Sequence, residues 1–105
     1  KKVNHQAFNF GPNSKNSKKV RSIIQQIKKK WNIKVKKSKL RFKESKLLSL
    51  NCKKAKKTLN WKPVLNFEDT IKMTIDWYDQ FYKKPKKINE LMKLQIQYYA
   101  SKQND

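Results

Sequence analysis

Apolar residues fall at helical spacing in the first third of the chain. They occupy positions i, i+3, i+4, i+7 and i+11 of a single stripe: Val20, Ile23, Ile24, Ile27 and Trp31. This spacing puts them on one face of an amphipathic helix, which we predict over residues 18–31. Ser17 is the predicted N-cap, because its hydroxyl can accept a hydrogen bond from a backbone N–H of the first turn.

The strongest helical pattern covers residues 67–83. Asn66 is placed to cap its start, Asp69 follows three residues later as in a capping box, and Pro85 prevents the helix from continuing. The predicted buried face consists of Phe67, Ile71, Thr74, Ile75, Tyr78, Phe81 and Tyr82. We interpret the rings at the end of this face as core or subunit contacts, although aromatic rings can also stack on nucleic-acid bases.

Two further helices are predicted, over residues 52–59 and 90–101. Asn51 can cap the first helix, and Asn60 falls where helices often end in a left-handed residue. One side of the second helix carries Leu91, Leu94 or Gln95, and Tyr98.

Short apolar runs predict strands at residues 7–10, 33–35 and 47–50. Strands this short do not form a stable sheet by themselves. The predicted fold is therefore α/β and helix-rich. Residues 1–105 are expected to be one domain or less, with strands that need partner strands from a missing portion of a longer protein.

Positive charge dominates the composition. With 28 Lys and Arg against 7 Asp and Glu, the formal net charge is +21. Lysines neutralise phosphates, so a nucleic-acid-binding module is one candidate. However, only Arg21 and Arg41 offer the forked guanidinium that base readers use, and the lysines spread along the whole chain. This composition favours the drift of an AT-rich coding sequence, so nucleic-acid binding is expected to be weak and nonspecific.

The sequence gives little support for a disulfide, a metal site, a membrane span, a signal peptide or a cofactor-binding motif. Cys52 is the single cysteine and His5 the single histidine, so neither a disulfide nor a metal site is predicted. No apolar run approaches the roughly 18 residues of a membrane span. The polar start predicts no signal peptide, and a cytoplasmic protein is expected. One glycine cannot supply the G-x-G-x-x-G phosphate fingerprint, so no cofactor-binding residue is predicted.

Five sequence segments in fixed order carry a family resemblance. They are Phe8-Asn9-Phe10-Gly11-Pro12, the segment from Glu44 to Lys56, Leu59-Asn60-Trp61-Lys62-Pro63, Thr74-Ile75-Asp76-Trp77-Tyr78 and Gln95-Ile96-Gln97-Tyr98-Tyr99. Together they resemble the C-terminal third of the CDP-glucose 4,6-dehydratases, in the extended short-chain dehydrogenase/reductase superfamily of epimerases and dehydratases. The chain departs from the family at Asn51, Lys53 and Asn60, where Asp, Ser and Gly are usual.

This resemblance implies a lyase of deoxysugar biosynthesis. Bound NAD oxidises C4 of the glucosyl unit of CDP-glucose, water leaves across C5 and C6, and the hydride returns to C6. NAD and the catalytic groups belong to an N-terminal Rossmann half that is absent here, and the superfamily commonly forms homodimers through helices of that half. No catalytic residue is therefore expected in this chain, which is predicted to be inactive by itself.

The superfamily's catalytic Tyr-x-x-x-Lys signature needs separate mention. It is matched twice, by Tyr82 with Lys86 and by Tyr98 with Lys102. About a quarter of the residues are lysine, so such matches arise by chance among the 4 tyrosines. The family's own signature lies upstream of the matched region, and we assign no role to either pair.

The resemblance also implies where the nucleotide sugar would bind. In sister dehydratases an Arg contacts the diphosphate and, in the GDP-mannose enzyme, a Glu three residues later contacts the ribose; Arg41 and Glu44 have this spacing. The loop that follows residues 8–10 approaches the nucleotide, and Gly11 lets the backbone come close to a ligand. The predicted substrate-binding residues are Glu44, Arg41, Asn13 and Asn9.

Two alternatives stay open at this point. One is another epimerase or dehydratase that acts on a different nucleotide sugar, because the residues quoted do not identify the base. The other is the lysine-rich nucleic-acid-binding module. The latter predicts tight, steeply salt-dependent binding to nucleic acid, whereas the dehydratase interpretation predicts weak binding that is lost at moderate salt.

Overall fold

The computed structural model describes residues 3–13, 18–38 and 49–104. Its helices are α1 (Val20–Lys28), α2 (Lys53–Leu59), α3 (Phe67–Lys83), a 3-10 helix (Pro85–Lys87) and α4 (Ile88–Gln103). The chain divides into two compact units. Residues 3–13, 34–38 and 49–63 form the loop–helix unit, and residues 18–33 and 64–104 form the helical unit.

Helix α3 is the centre of the helical unit and contacts α1, the 3-10 helix and α4. It begins and ends at the predicted residues. The Asn66 side chain accepts a hydrogen bond from the backbone N–H of Asp69 at 2.7 Å, which confirms the predicted cap. Glu68 and Asp69 lie in its first turn and Lys83 in its last, where each charge is favoured by the helix dipole.

The predicted helix at residues 18–31 is confirmed as the shorter α1, Val20–Lys28. Its N-cap is Lys19, which makes no side-chain capping bond; the predicted cap Ser17 lies outside the described residues. The turn continues to Trp31, whose backbone N–H donates to the carbonyl of Ile27 at 3.0 Å. This turn brings the Trp31 indole to α3.

Helix α4 extends two residues beyond each predicted end. It starts earlier because the 3-10 helix that begins at Pro85 leads directly into it. The Gln95 amide donates to the carbonyl of Met73 at 2.7 Å, whereas Leu94 is 61% exposed. Gln95, and not Leu94, therefore lies on the side of α4 that faces α3. The Tyr98 hydroxyl donates to the carboxylate of Asp69 at 3.3 Å and adds a second polar contact between these helices.

The apolar face of α3 is only partly buried. Ile75 is buried, but the predicted burial of three rings is wrong: Tyr78, Phe81 and Tyr82 are 48%, 43% and 76% exposed. Within the described part of the helical unit, no element covers them. The Thr74 side chain is also exposed, and its hydroxyl donates to the carbonyl of Thr70 one turn earlier at 2.8 Å.

The strands predicted at residues 7–10 and 33–35 are wrong: neither segment has regular secondary structure. A strand requires a hydrogen-bonded neighbour, and the described residues supply none. Of the strand predicted at residues 47–50, only residues 49 and 50 are described, and they are also irregular. The helix-rich part of the prediction is confirmed. None of the helices in the described ranges is long and apolar enough to cross a membrane.

Helix α2 confirms the helix predicted at residues 52–59, with its N-cap shifted from Asn51 to Cys52. The Asn51 amide oxygen still accepts a hydrogen bond from the backbone N–H of Lys53 at 3.1 Å. Asn60 ends the helix in the predicted left-handed conformation, with φ 52° and ψ 31°. Asn tolerates this conformation better than most residues with a Cβ atom do.

We predict that Asn60→Ala lowers the free energy of unfolding by about 1 kcal/mol, because alanine has no polar side chain to offset the strain of a left-handed backbone. Asn60→Gly is the matched control and should leave stability close to the original value, because glycine adopts positive φ freely. Urea unfolding followed by circular dichroism measures both. Equal losses for the two variants would contradict this assignment.

The carboxylate of Asp79 joins the end of α1 to α3. Its side chain is 15% exposed and accepts a hydrogen bond from the Trp31 indole N–H at 2.9 Å. The ammonium groups of Lys83 and Lys30 lie 3.0 and 3.6 Å from its oxygens. The bond from Trp31, followed by that from Lys83, lowers the pKa of Asp79 below its ordinary value, and the charge of Lys30 acts in the same direction.

We predict that Asp79→Asn lowers the free energy of unfolding at neutral pH, and that the difference from the unsubstituted chain shrinks as the pH falls below about 4. A carboxyl group with a lowered pKa stabilises the folded state above its unfolded pKa. That stabilisation is lost as the pH falls through the folded pKa. Urea unfolding over a pH series tests this prediction.

Asp76→Asn is the control for the Asp79 experiment, because it makes the same charge change on the same helix. Asp76 pairs with Lys72 at 2.6 Å in an i,i+4 bridge whose lysine is 74% exposed, and such solvent-accessible bridges typically contribute little to stability. A deficit of Asp79→Asn that does not change with pH, or one no larger than that of Asp76→Asn, would contradict the role given to Asp79.

Candidate functional site

The candidate site lies in the loop–helix unit, where the loop at residues 8–13 packs on α2. Cys52 and Ala55 are buried at the start of α2, with 7% and 0% exposure. The Cys52 thiol lies 3.9 Å from the carbonyl oxygen of Gly11 and 3.7 Å from that of Leu50. The contact with Gly11 joins the loop to the start of the helix.

Gly11 faces this buried thiol. A Cβ atom at position 11 would lie 3.5 Å from the Cys52 sulfur and 3.5 Å from the Leu50 side chain, which is ordinary van der Waals contact. No glycine of the chain has a positive φ, so Gly11 is not required by backbone conformation. The open side of Gly11 is therefore turned to the protein interior, and not to the surface where a ligand would lie.

Aromatic rings of the loop and of Trp61 also pack together in this unit. The rings of Phe10 and Trp61 meet edge to face, with centroids 5.1 Å apart, and Phe8 lies 6.4 Å from Phe10. The backbone N–H of Trp61 donates to the carbonyl of Ala55 at 3.4 Å, directly after the left-handed Asn60. The reversal at Asn60 thus brings Trp61 back to the loop.

Two lysines of α2 reach the same loop. The Lys56 ammonium donates to the side-chain oxygen of Asn13 at 3.2 Å. The Lys54 ammonium donates to the carbonyl of Ala7 at 3.0 Å and lies 4.8 Å from the centre of the Phe8 ring. Two cations of α2 that are two residues apart in sequence therefore contact the loop, and each is held by a specific partner.

The predicted site residues have different outcomes. Glu44 and Arg41 lie outside the described residues. Asn13 is exposed and is bonded to Lys56, and Asn9 is exposed on the same loop. Lys54 was not predicted as a site residue, nor was Lys56, because neither stands out in sequence among so many lysines.

This arrangement is suited to binding an anion. The two ammonium groups are charged donors, which bind phosphate oxygens more strongly than neutral donors do. The Asn13 amide oxygen is occupied by Lys56, which leaves its NH2 group as a further donor. Among the described residues, no group of three or more His, Cys, Asp or Glu side chains is arranged to hold a metal ion.

We predict that Gly11→Ala leaves the reactivity of Cys52 toward iodoacetamide within about twofold of the original, because the added Cβ makes only ordinary contacts. Gly11→Val should accelerate the reaction several-fold, because a larger side chain displaces the thiol or Leu50. Labelling of the native chain, followed by mass spectrometry, measures both rates. Equal rates for Gly11→Val and the original chain would contradict the packing of this loop on Cys52.

No protein-family model, curated protein or solved structure matches this chain. The resemblance to the CDP-glucose 4,6-dehydratases therefore depends on the five sequence segments named above.

Proposed function

We propose that this chain is the C-terminal, substrate-binding portion of an NAD-dependent sugar-nucleotide dehydratase, most like CDP-glucose 4,6-dehydratase. The observation that carries the proposal is the meeting of Lys54 and Lys56 with the loop at residues 8–13. The resemblance assigns this loop to the nucleotide. The lysines supply the positive charge that a diphosphate requires.

The proposed contacts follow from the chemistry of the exposed groups. Lys56 and the NH2 group of Asn13 would donate to diphosphate oxygens, and Lys54 would add a second positive charge beside the same loop. Asn9 would contact the nucleotide from the same loop. Arg41 and Glu44 complete the proposed site through the diphosphate and the ribose, as the resemblance implies.

The rest of the reaction belongs to a Rossmann half that would hold NAD and the catalytic groups. In that assembly, bound NAD would supply the hydride chemistry. This chain would bind and orient the nucleotide sugar. Among the described residues, the buried apolar side chains are few in each unit: Cys52 and Ala55 in the loop–helix unit, and Ile75 in the helical unit. Such little burial supports the proposal that this chain is a portion of a larger protein. We place the complete enzyme in the cytoplasm.

We predict that the 105-residue chain binds CDP-glucose without converting it. Titration monitored by ¹⁵N–¹H NMR should shift the amide signals of residues 9–11, 13 and 54–56. Lys56→Ala should weaken binding by roughly tenfold or more, because a charge-assisted hydrogen bond is lost. Lys57→Ala, which removes the same charge from the same helix, is the control and should change affinity less than twofold.

The outcomes of this titration separate the proposals. Equal weakening by Lys56→Ala and Lys57→Ala would show that only net charge matters and would overturn the assigned site. Tighter binding of GDP-mannose or dTDP-glucose than of CDP-glucose would favour a sister enzyme. Release of a 4-keto-6-deoxy sugar by this chain would contradict the prediction that it is inactive by itself.

A lysine-rich nucleic-acid-binding module is the second candidate, and the net charge of +21 favours it. It differs from the first in salt dependence, because each phosphate contact releases counterions. Submicromolar binding to an oligonucleotide with no measurable binding of CDP-glucose would favour this module over the dehydratase portion.

A further inference from the structure

Four aromatic rings form a connected cluster at the C-terminal end of α3. The Trp77 and Phe81 rings are stacked, with centroids 5.1 Å apart and an interplanar angle of 8°. Tyr78 meets Trp77 edge to face at 5.2 Å, and Tyr82 meets Phe81 in the same way at 5.4 Å. We call these four residues the ring cluster.

The ring cluster presents much of its surface to solvent. Tyr82 is 76% exposed, Tyr78 48% and Phe81 43%. A depression of about 260 Å³ adjoins the cluster and is lined by Met73, Thr74, Trp77, Tyr78 and Gln95. The cluster therefore combines ring surfaces that are fixed by mutual contact with space beside them for a flat group.

Lysines follow the ring cluster directly in sequence. Lys83 is committed to Asp79, at 3.0 Å. Lys84, Lys86 and Lys87 are exposed, and the last two lie in the 3-10 helix that contacts α3. No acidic residue occurs from position 80 to position 89, so positive charge is locally uncompensated there.

We infer that the ring cluster and Lys84, Lys86 and Lys87 form a binding surface for single-stranded nucleic acid. Unpaired bases stack on exposed aromatic rings, and ammonium groups neutralise the phosphates beside them. A duplex hides the faces of its bases, so the surface should prefer single strands. The surface contains no arginine, and its binding should therefore tolerate different base sequences.

Charge and packing argue against other occupants. A second copy of this chain carries the same charge of +21 and would be repelled. A helix that lies on a membrane surface presents one apolar face along its length. Helix α3 instead packs against α1 and α4 and exposes its rings only at one end, which is enough for a few stacked bases but not for a bilayer.

The test is fluorescence anisotropy with a labelled oligo-dT of about 15 nucleotides, in the size range of single-strand binding sites. A duplex of the same length is the first control. Tyr82→Ala should weaken oligo-dT binding by roughly fivefold or more, because one stacked base loses its ring. Tyr82→Phe keeps the ring and should bind like the original chain. Circular dichroism checks that each variant folds. We expect both to fold, because the Tyr82 side chain is largely exposed.

The lysines are tested with a charge-matched pair of triple variants. One variant carries Lys84→Gln, Lys86→Gln and Lys87→Gln, and the other carries the same change at Lys53, Lys57 and Lys62, which are also exposed. Both lose three charges. The first should reduce the slope of log affinity against log salt by about 2, at roughly 0.7 per phosphate contact on a single strand. The second should reduce it far less.

Three results would overturn the inference. They are equal effects of the two triple variants, unchanged affinity of Tyr82→Ala, and duplex binding as tight as single-strand binding. Competition by vesicles of anionic phospholipid that also depends on Tyr82 would assign the ring cluster to a membrane instead. None of these experiments involves Lys56 or CDP-glucose, so failure of this inference is distinguishable from failure of the proposed CDP-glucose site.

Discussion

Electrostatic attraction between one acidic helix and the basic residues around it organises the helical unit. Helix α3 holds four of the seven acidic residues of a chain with a net charge of +21. The carboxylate of Asp79 accepts a hydrogen bond from the Trp31 indole N–H. It also pairs with the ammonium groups of Lys30, which follows α1, and of Lys83 in α3. Ile75 is the buried residue of α3. Because so little apolar surface of α3 is fully buried, the polar contacts of Asp79 help to hold α1 against α3.

Helix bounds were predictable where side chains signal them directly. Asn66 and Pro85 delimit α3, and the prediction was confirmed at both ends because a cap and a residue without an N–H act locally. No such signal marks the start of α4, whose bounds differ from the prediction. The predicted strands failed for a different reason: a pattern of side chains can favour a strand, but pairing requires a neighbour that the pattern does not specify.

The exposure of the ring cluster could not be read from its spacing. Tyr78, Phe81 and Tyr82 follow the apolar period of α3, and that period shows which residues share a face but not whether another element covers it. The site shows a similar limit. Asn13 was predicted from its place in the loop, whereas Lys54 and Lys56 are distinguished from other lysines only by the folding of the loop onto α2. Arg41 and Glu44 lie outside the described residues and stay predictions.

The three tryptophans occupy chemically distinct surroundings. Trp31 donates its indole N–H to a carboxylate, Trp61 meets Phe10 edge to face, and Trp77 is stacked on Phe81. Trp61 belongs to the loop–helix unit and the other two to the helical unit. Each unit thus contains its own native chromophore. Versions of the chain that retain a single indole would let the melting of each unit be followed separately, without an attached label.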